Sequence, residues 1–393
     1  MELTPLPEHD DLRAGVRAVC ADFPGSYWQG LEPDRYPTGF VDALTAAGYL
    51  GALVPEKYGG GGATLTQAAV ILEEVAASGA NPSACHAQMY VMGTLLRHGS
   101  EEQKQRWLPQ IASGALRLQA FGVTEPEAGS DTTRITTRAV RVPQGWRIDG
   151  GKIWTSRAEH SDLMLLLART APRPDPSADP SADPSARPSD GLSTFLVDLR
   201  GTPGIEIRPI ATMMNHSTTQ VFLDGVVVPE DALVGVEGQG FRQILDGMNA
   251  ERILIASECL GDGRFLLDRA VGYAAQREVF GRPVGANQGV QFPLAHAYAQ
   301  LRAADLVRLD AARRFDAGLP CGAEANMAKL LASEASFAAA NASLDAHGGY
   351  GFAVEYDVER KFRETRLYRT APVSNNLVLA YLGHHVLGLP KSY

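Results

Sequence analysis

The spacing of apolar residues changes twice along this 393-residue chain, and those two changes limit the folds open to it. From Asp10 to about Leu118 the apolar positions recur every three or four residues, over Asp10–Asp22, Thr38–Ala47, Thr66–Ala77 and Ser83–His98. That is the spacing of amphipathic helices. Ser100-Glu-Glu-Gln103 then has the form of a capping box opening one more helix. Between Gln119 and about Pro229 the period falls to two: Trp146-Arg-Ile-Asp, Leu163-Met-Leu-Leu-Leu-Ala, Thr194-Phe-Leu-Val and Gln220-Val-Phe-Leu read as strands among Gly and Pro. After Glu230 the helical period returns, over about Phe241–Gln276, Gly289–Ala317, Ala323–His347, Glu355–Tyr368 and Ser374–Leu387. Segregated helices, strands and helices predict an α+β chain in three parts: residues 1–118 helical, 119–230 a small β-domain of six to eight strands, 231–393 helical.

Inside the β-rich part, residues 172–190 form a low-complexity insertion in which Asp-Pro-Ser-Ala recurs from Asp175, Asp179 and Asp183. Proline at every fourth position forbids helix and sheet, so a solvated hairpin tip or mobile loop is expected, with no function of its own. Gly59–Gly62 is expected to be a loop between helices, because no Lys-Ser/Thr of a phosphate-binding loop follows it. No GxGxxG opens a helix after a strand, so a Rossmann dinucleotide site is not supported.

A net charge of −9 leaves no basic footprint for nucleic acid. Cys20, Cys85, Cys259 and Cys321 are scattered without a CxxC, which argues against a zinc site or a disulfide framework and for buried reduced thiols. No metal site is expected. The N-terminus lacks the basic and apolar regions of a signal peptide, and no run reaches the roughly 18 apolar residues of a membrane span. A soluble, cytoplasmic protein is the expectation.

Two short stretches carry chemistry. Val123-Thr-Glu-Pro-Glu-Ala-Gly-Ser-Asp131 is a turn rich in carbonyls and hydroxyls, suited to hydrogen-bonding the edge of a flat heterocycle. Gly150-Gly-Lys-Ile-Trp-Thr-Ser156 sets one of four tryptophans beside two hydroxyls. Further on come Gln276-Arg-Glu-Val-Phe-Gly-Arg-Pro283, with Gln288 eleven residues after Arg277, and Asp345-Ala-His-Gly-Gly-Tyr-Gly-Phe352. An Arg fork grips phosphate oxygens in pairs, and adjacent glycines let backbone N–H groups approach phosphate.

Together these segments resemble the acyl-CoA dehydrogenase family. The resemblance implies an N-terminal helical domain, a β-barrel-like middle domain and a C-terminal four-helix bundle around FAD. It implies that Phe121, Val123, Thr124, Gly129 and Ser130 line the isoalloxazine and that Trp154, Thr155 and Ser156 flank it. Arg277, Phe280 and Gln288, with Asp345, Gly348 and Gly349, would reach the pyrophosphate and adenosine end of a neighbouring subunit's FAD. Family members usually have Gln where Asp345 stands, and an acidic group there must point away from phosphate. His347 reads as structural. The implied activity is α,β-dehydrogenation of an acyl thioester, on CoA or a carrier protein, with electrons passing to an electron-transfer flavoprotein. Acyl-CoA oxidase or flavin monooxygenase chemistry, and an inactive member of the family, are the alternatives. A homodimer or homotetramer is implied.

Most of the family carries its base in a Tyr-Glu-Gly-Thr-Ser-Glu stretch. This chain reads Arg366-Leu-Tyr-Arg-Thr-Ala-Pro-Val-Ser-Asn-Asn376, with Pro372 at the base position and no carboxylate after Glu364. The isovaleryl-CoA dehydrogenase type instead has Glu-Arg early in the long helix after the β-domain, and Asn249-Ala-Glu-Arg252 matches it. Glu251 is therefore the expected base, against the alternative of a helix-surface residue; Glu258, two turns on, is the reserve. Asn249, Arg252, Ser130 and Val373 are the expected substrate contacts. Pro372 has no N–H to offer the thioester carbonyl, so Val373 is expected to donate instead. Ser374, Asn375 and Asn376 stand at the remaining polar positions, with Ser374 and Asn376 expected to contact FAD.

Overall fold

The computed structural model describes residues 3–4, 6–174 and 187–391. Six helices come first: α1 (Asp10–Ala21), α2 (Gly25–Leu31), α3 (Thr38–Ala46), α4 (Leu65–Ala77), α5 (Ser83–His98) and α6 (Glu101–Ala112). Capping boxes start two of them. Thr64 accepts from Gln67 N and returns its own N–H to the Gln67 side chain, and Ser100 and Gln103 do the same. Helix α4 buries Val70, Ile71, Leu72 and Val75 together, each contributing about 1.5–3 kcal/mol by leaving water. The short helix α2 was not expected; its seven residues carry too few apolar positions for a period, and Trp28 alone is buried from it. The Gly59–Gly62 segment is a loop, as expected.

The middle of the chain forms one eight-stranded sheet: β1 (Leu118–Gly122), β2 (Arg138–Val142), β3 (Gly145–Ser156), β4 (Leu163–Arg169), β5 (Leu192–Asp198), β6 (Ile205–Pro209), β7 (Thr218–Val228) and β8 (Leu233–Val234). The strand order is β6-β7-β3-β2-β4-β5-β8, with β1 paired in parallel to β4. Its edges β6 and β8 do not meet, so the sheet is open and the expected barrel does not close. Within the sheet, β2 pairs along its full length with β3 but touches β4 at one position, Arg138 opposite Arg169. The sheet splays there, leaving β4 free to pair with β1. Most of the Asp-Pro-Ser-Ala insertion falls outside the described residues.

Three long helices complete the chain: α7 (Gly240–Gln276), α8 (Gln288–Asp316) and α9 (Gly322–His347), followed by α10 (Val358–Leu367) and α11 (Asn375–Tyr381). A two-strand turn, β9 (Glu278–Val279) and β10 (Arg282–Pro283), joins α7 to α8. The last two helices are shorter than their apolar period suggested. Asp357 takes a left-handed φ of 59° before α10, and α11 passes into a π-turn over Leu382–Val386.

The middle of helix α7, from Ile253 to Leu267, is buried, with α4, α8 and α9 all packed on the helix. Buried ion networks hold it there. Arg264 bonds Glu73 at 2.7 Å and Glu74 at 2.9 Å on α4, while Asp262 accepts from Lys361 at 2.7 Å and from the Tyr368 hydroxyl at 2.9 Å. Pairing and hydrogen bonding offset much of the cost of burying charges this deep. All four cysteines are buried and free.

Candidate active site

Strand β1 ends at Gly122, and the chain turns sharply where Glu125 and Ala128 exchange main-chain hydrogen bonds. The wholly buried Lys152 of β3 clamps this turn, its ammonium donating to Val123 O at 3.0 Å and Glu125 Oε1 at 2.8 Å. Glu125 also accepts from the amides of Thr136 at 2.6 Å and Thr137 at 2.9 Å. Burial raises this carboxyl, but Lys152 and those donors outweigh it and hold it at about 2, while burial pushes Lys152 down to about 8. Ile153 N donates to Thr124 O at 2.9 Å. Both sequence motifs thus form one rigid ledge.

On that ledge Trp154 adopts a left-handed φ of 61° and is 57% exposed. Phe121, Val123, Thr124 and Ser156 are half-buried, while Gly129 and Ser130 are exposed. The hydroxyls of Thr124, Ser130 and Ser156 make no hydrogen bond among the described residues. Thr155 is buried: its carbonyl accepts from Thr219 Oγ1 at 2.6 Å, and its own hydroxyl is likewise without a hydrogen bond among the described residues. An exposed indole beside unpartnered hydroxyls fits a flat, heteroatom-edged ring.

Glu251 lies on the fourth turn of α7, 4% exposed, which removes the helix-surface alternative. Burial raises its carboxyl to about 7 against the opposing pull of His86, Arg252 and Lys329. Arg252 is itself pushed down by burial and reaches Asn249 Oδ1 at 3.4 Å. Lys329 of α9, which the sequence did not single out, donates to Val373 O and to Asn375 Oδ1, each at 2.7 Å. It thereby pins the loop after Pro372, whose peptide bond to Ala371 is cis. The Val373 N–H makes no hydrogen bond among the described residues. Ser374 caps α11 by accepting from Leu377 N at 3.4 Å, and Asn376 is exposed. Glu258 faces a different partner, His86 Nδ1 at 3.0 Å.

Arg277, Phe280 and Gln288 are all exposed, as are Asp345, Gly348 and Gly349. The Arg277 guanidinium sits 5.8 Å from the Tyr350 ring, so these two segments meet on one surface. A Cβ added at Gly348 or Gly349 would meet nothing within 4 Å, leaving that backbone open to approach. His347 is buried beneath, stacked on Tyr273 with centroids 4.4 Å apart and bonded through Nδ1 to Ser343 O at 2.7 Å. This group does not join the first one. Glu251 and Arg277 are separated by 26 residues of continuous helix, about 39 Å at the α-helical rise.

Three models of the acyl-CoA dehydrogenase domains match the chain in order: the N-terminal domain over residues 6–115, the middle domain over 120–226 and the C-terminal domain over 238–379. The chain belongs to the acyl-CoA dehydrogenase family. Acyl-CoA dehydrogenase FadE12 of Mycobacterium tuberculosis is 38% identical over 390 residues, covering 98% of this chain and 97% of the relative. Glutaryl-CoA dehydrogenase in complex with glutaryl-CoA shares the fold at a TM-score of 0.89 and 30% identity, covering 100% of this chain and 98% of that one. So does a chain in the structure of the electron transferring flavoprotein of Acidaminococcus fermentans, at a TM-score of 0.88 and 26% identity, covering 98% and 100%. Among the described residues no helix of this acyl-CoA dehydrogenase is long and apolar enough to cross a membrane.

Of the residues around Glu251, sequence reasoning missed Lys329, His86 and Tyr90. Lys329 is a lone cation in an alanine-rich helix, a pattern that looks like a solvated face until the fold buries it. His86 and Tyr90 come from α5, more than 150 residues before Glu251 in the chain.

Proposed function

We propose that this acyl-CoA dehydrogenase removes the α-proton of an acyl thioester with Glu251 as the β-hydrogen departs as hydride. The single observation behind this reading is the buried carboxyl of Glu251, raised to about 7 and therefore poised to take a proton near neutral pH. The cofactor is FAD, and its chemistry, when bound, is to accept the hydride. The ledge of Phe121–Thr124, Gly129–Ser130 and Trp154–Ser156 would hold the flavin ring. The pinned Val373 N–H is the donor for the thioester carbonyl in place of the N–H that Pro372 lacks. Arg252 and Asn249 would orient the thioester arm, whether CoA or a carrier protein supplies it.

A helix span of about 39 Å separates Arg277 from Glu251, so Arg277, Phe280, Gln288 and Gly348–Gly349 would serve the FAD of a second copy. A homodimer or homotetramer follows. Electrons are proposed to leave to an electron-transfer flavoprotein.

The test is anaerobic mixing of the yellow holoenzyme with a panel of acyl-CoAs. Native protein should lose its flavin absorbance, and Glu251→Gln should keep its flavin and fail to bleach. Full bleaching by Glu251→Gln would sink the assignment.

A further inference from the structure

Beyond Glu251, toward the far side of α5, buried polar atoms without partners collect in one place. Arg157, at the end of β3, is 6% exposed, forms no ion pair among the described residues, and leaves Nε and Nη1 without a hydrogen bond. His216 Nδ1, His86 Nε2 and Gln119 Nε2 are likewise buried and unpartnered. Native interiors rarely leave such groups unmatched, and a cluster of them marks a place where a polar group from outside is received. All five are nitrogen atoms: those of Arg157 and Gln119 can only donate, and each histidine nitrogen can donate or accept.

The cluster is linked to Glu251 through α5. Helices α5 and α7 run antiparallel here: His98 meets Asp246 at 3.1 Å, and His86 meets Glu258 at 3.0 Å. Seven residues of α7 separate Glu251 from Glu258, about 10 Å of helix. Tyr90 joins the two ends. Its half-buried ring lies edge-on to Phe121 at 5.8 Å, on the strand that forms the ledge, and 5.1 Å from the His86 ring. Its hydroxyl feels the charges of both Glu251 and Arg157. A cavity of about 20 Å³ opens against Arg157, lined also by Tyr36, His216 and Ser83 and by Glu32 and Glu364, whose carboxylates are paired to Arg363 and Arg360. That is room for one water-sized group, such as a terminal oxygen.

We infer that this cluster is a subsite for the distal end of the acyl chain, and that the substrate carries a hydrogen-bond-accepting oxygen there, as a carboxylate or a carbonyl. The inference rests on the reading of Glu251 as the base. A plain alkyl end would leave the Arg157 fork unpaired in a closed site. A distal oxygen accepts from one of the free N–H groups, and a carboxylate adds charge pairing with the guanidinium.

The experiment uses holoenzyme and three matched series of acyl-CoAs, with plain alkyl, ω-carboxyl or ω-terminal keto ends, compared by kcat/KM for flavin reduction at equal chain length. At one or more lengths an oxygen-bearing chain should exceed its plain counterpart at least about tenfold, because a site built to hydrogen-bond a substrate rejects the analogue lacking that group. The two oxygen-bearing arms separate charge pairing from hydrogen bonding alone. Arg157→Met should lower the oxygen-to-alkyl ratio at least about tenfold and Arg157→Lys by less, the ratio being read within one preparation of known flavin content. Preference for plain chains at every length overturns the subsite while leaving Glu251 in place. An Arg157→Met ratio equal to the native one overturns it too. Bleaching by none of the series sinks the dehydrogenase reading and this one with it.

Discussion

The Lys152 ammonium donates to Glu125 Oε1 across 2.8 Å, with both side chains buried, and this bond ties two motifs together that lie 27 residues apart in the chain. Glu125 belongs to the Thr-Glu-Pro turn and Lys152 to the Gly-Gly-Lys strand, so neither residue needs to touch a cofactor to matter. Removing one partner strands the other as a buried charge. Lys152→Met or Glu125→Gln should therefore cost about 3–5 kcal/mol and release flavin, seen by denaturant unfolding and by absorbance of the purified protein. Glu125 is held at about 2 against an unfolded 4.5, so its contribution is present above pH 4.5 and fades as pH falls toward 2. Native protein and Lys152→Met should converge in stability on acidification; a gap that stays constant would show that the pair does not supply it.

Glu251 has the opposite sign. Its folded carboxyl, at about 7, holds a proton more tightly than the unfolded one at 4.5. The stability this provides is complete below pH 4.5 and is lost as pH rises through 7, on the order of 3 kcal/mol. Glu251→Gln should therefore be more stable than native protein at pH 8 and similar at pH 4.5. Flavin reduction by native protein should rise through pH 7 and level above it, as expected of a base that must be ionised.

Lys329 holds Val373 O and Asn375 Oδ1 and lowers the proton affinity of Glu251. Lys329→Met should raise KM about tenfold by freeing the loop, from the loss of charged hydrogen bonds worth about 1.5–3 kcal/mol each. It should also move the midpoint of the pH–reduction profile upward. A purely structural lysine would leave that midpoint where it was.

Phe280 is fully exposed in a left-handed turn, with φ of 51°. A bare aromatic held in such a conformation suits an interface between copies. Phe280→Asp should shift the protein to smaller species in light scattering and lower its flavin content in proportion. Unchanged size with full flavin would remove the second copy from the cofactor site.

The architecture was largely legible because it rests on period. Apolar spacing of three to four, then two, then three to four marks the helices and the sheet wherever one face is buried and the other is not. It failed where that contrast is absent. The seven-residue α2 is too short to show a period, and whether the edge strands β6 and β8 meet depends on how the whole sheet is arranged in space. The ledge was legible through its motifs, although the motifs pointed to the residues facing outward and not to the Glu125–Lys152 bond that holds them.

By itself the sequence determined the order of elements, the family and the identity of the candidate base, since these depend on residue types and on spacings along one stretch of chain. Tertiary structure decided the rest: that Glu251 is buried enough to hold a proton near 7, that Lys329 grips the loop after Pro372, and that Arg157 ends up without a partner among groups from α5 and the loop at His216. Desolvation and pairing depend on what closes over a side chain, and the residues that close over these come from segments far apart in the chain.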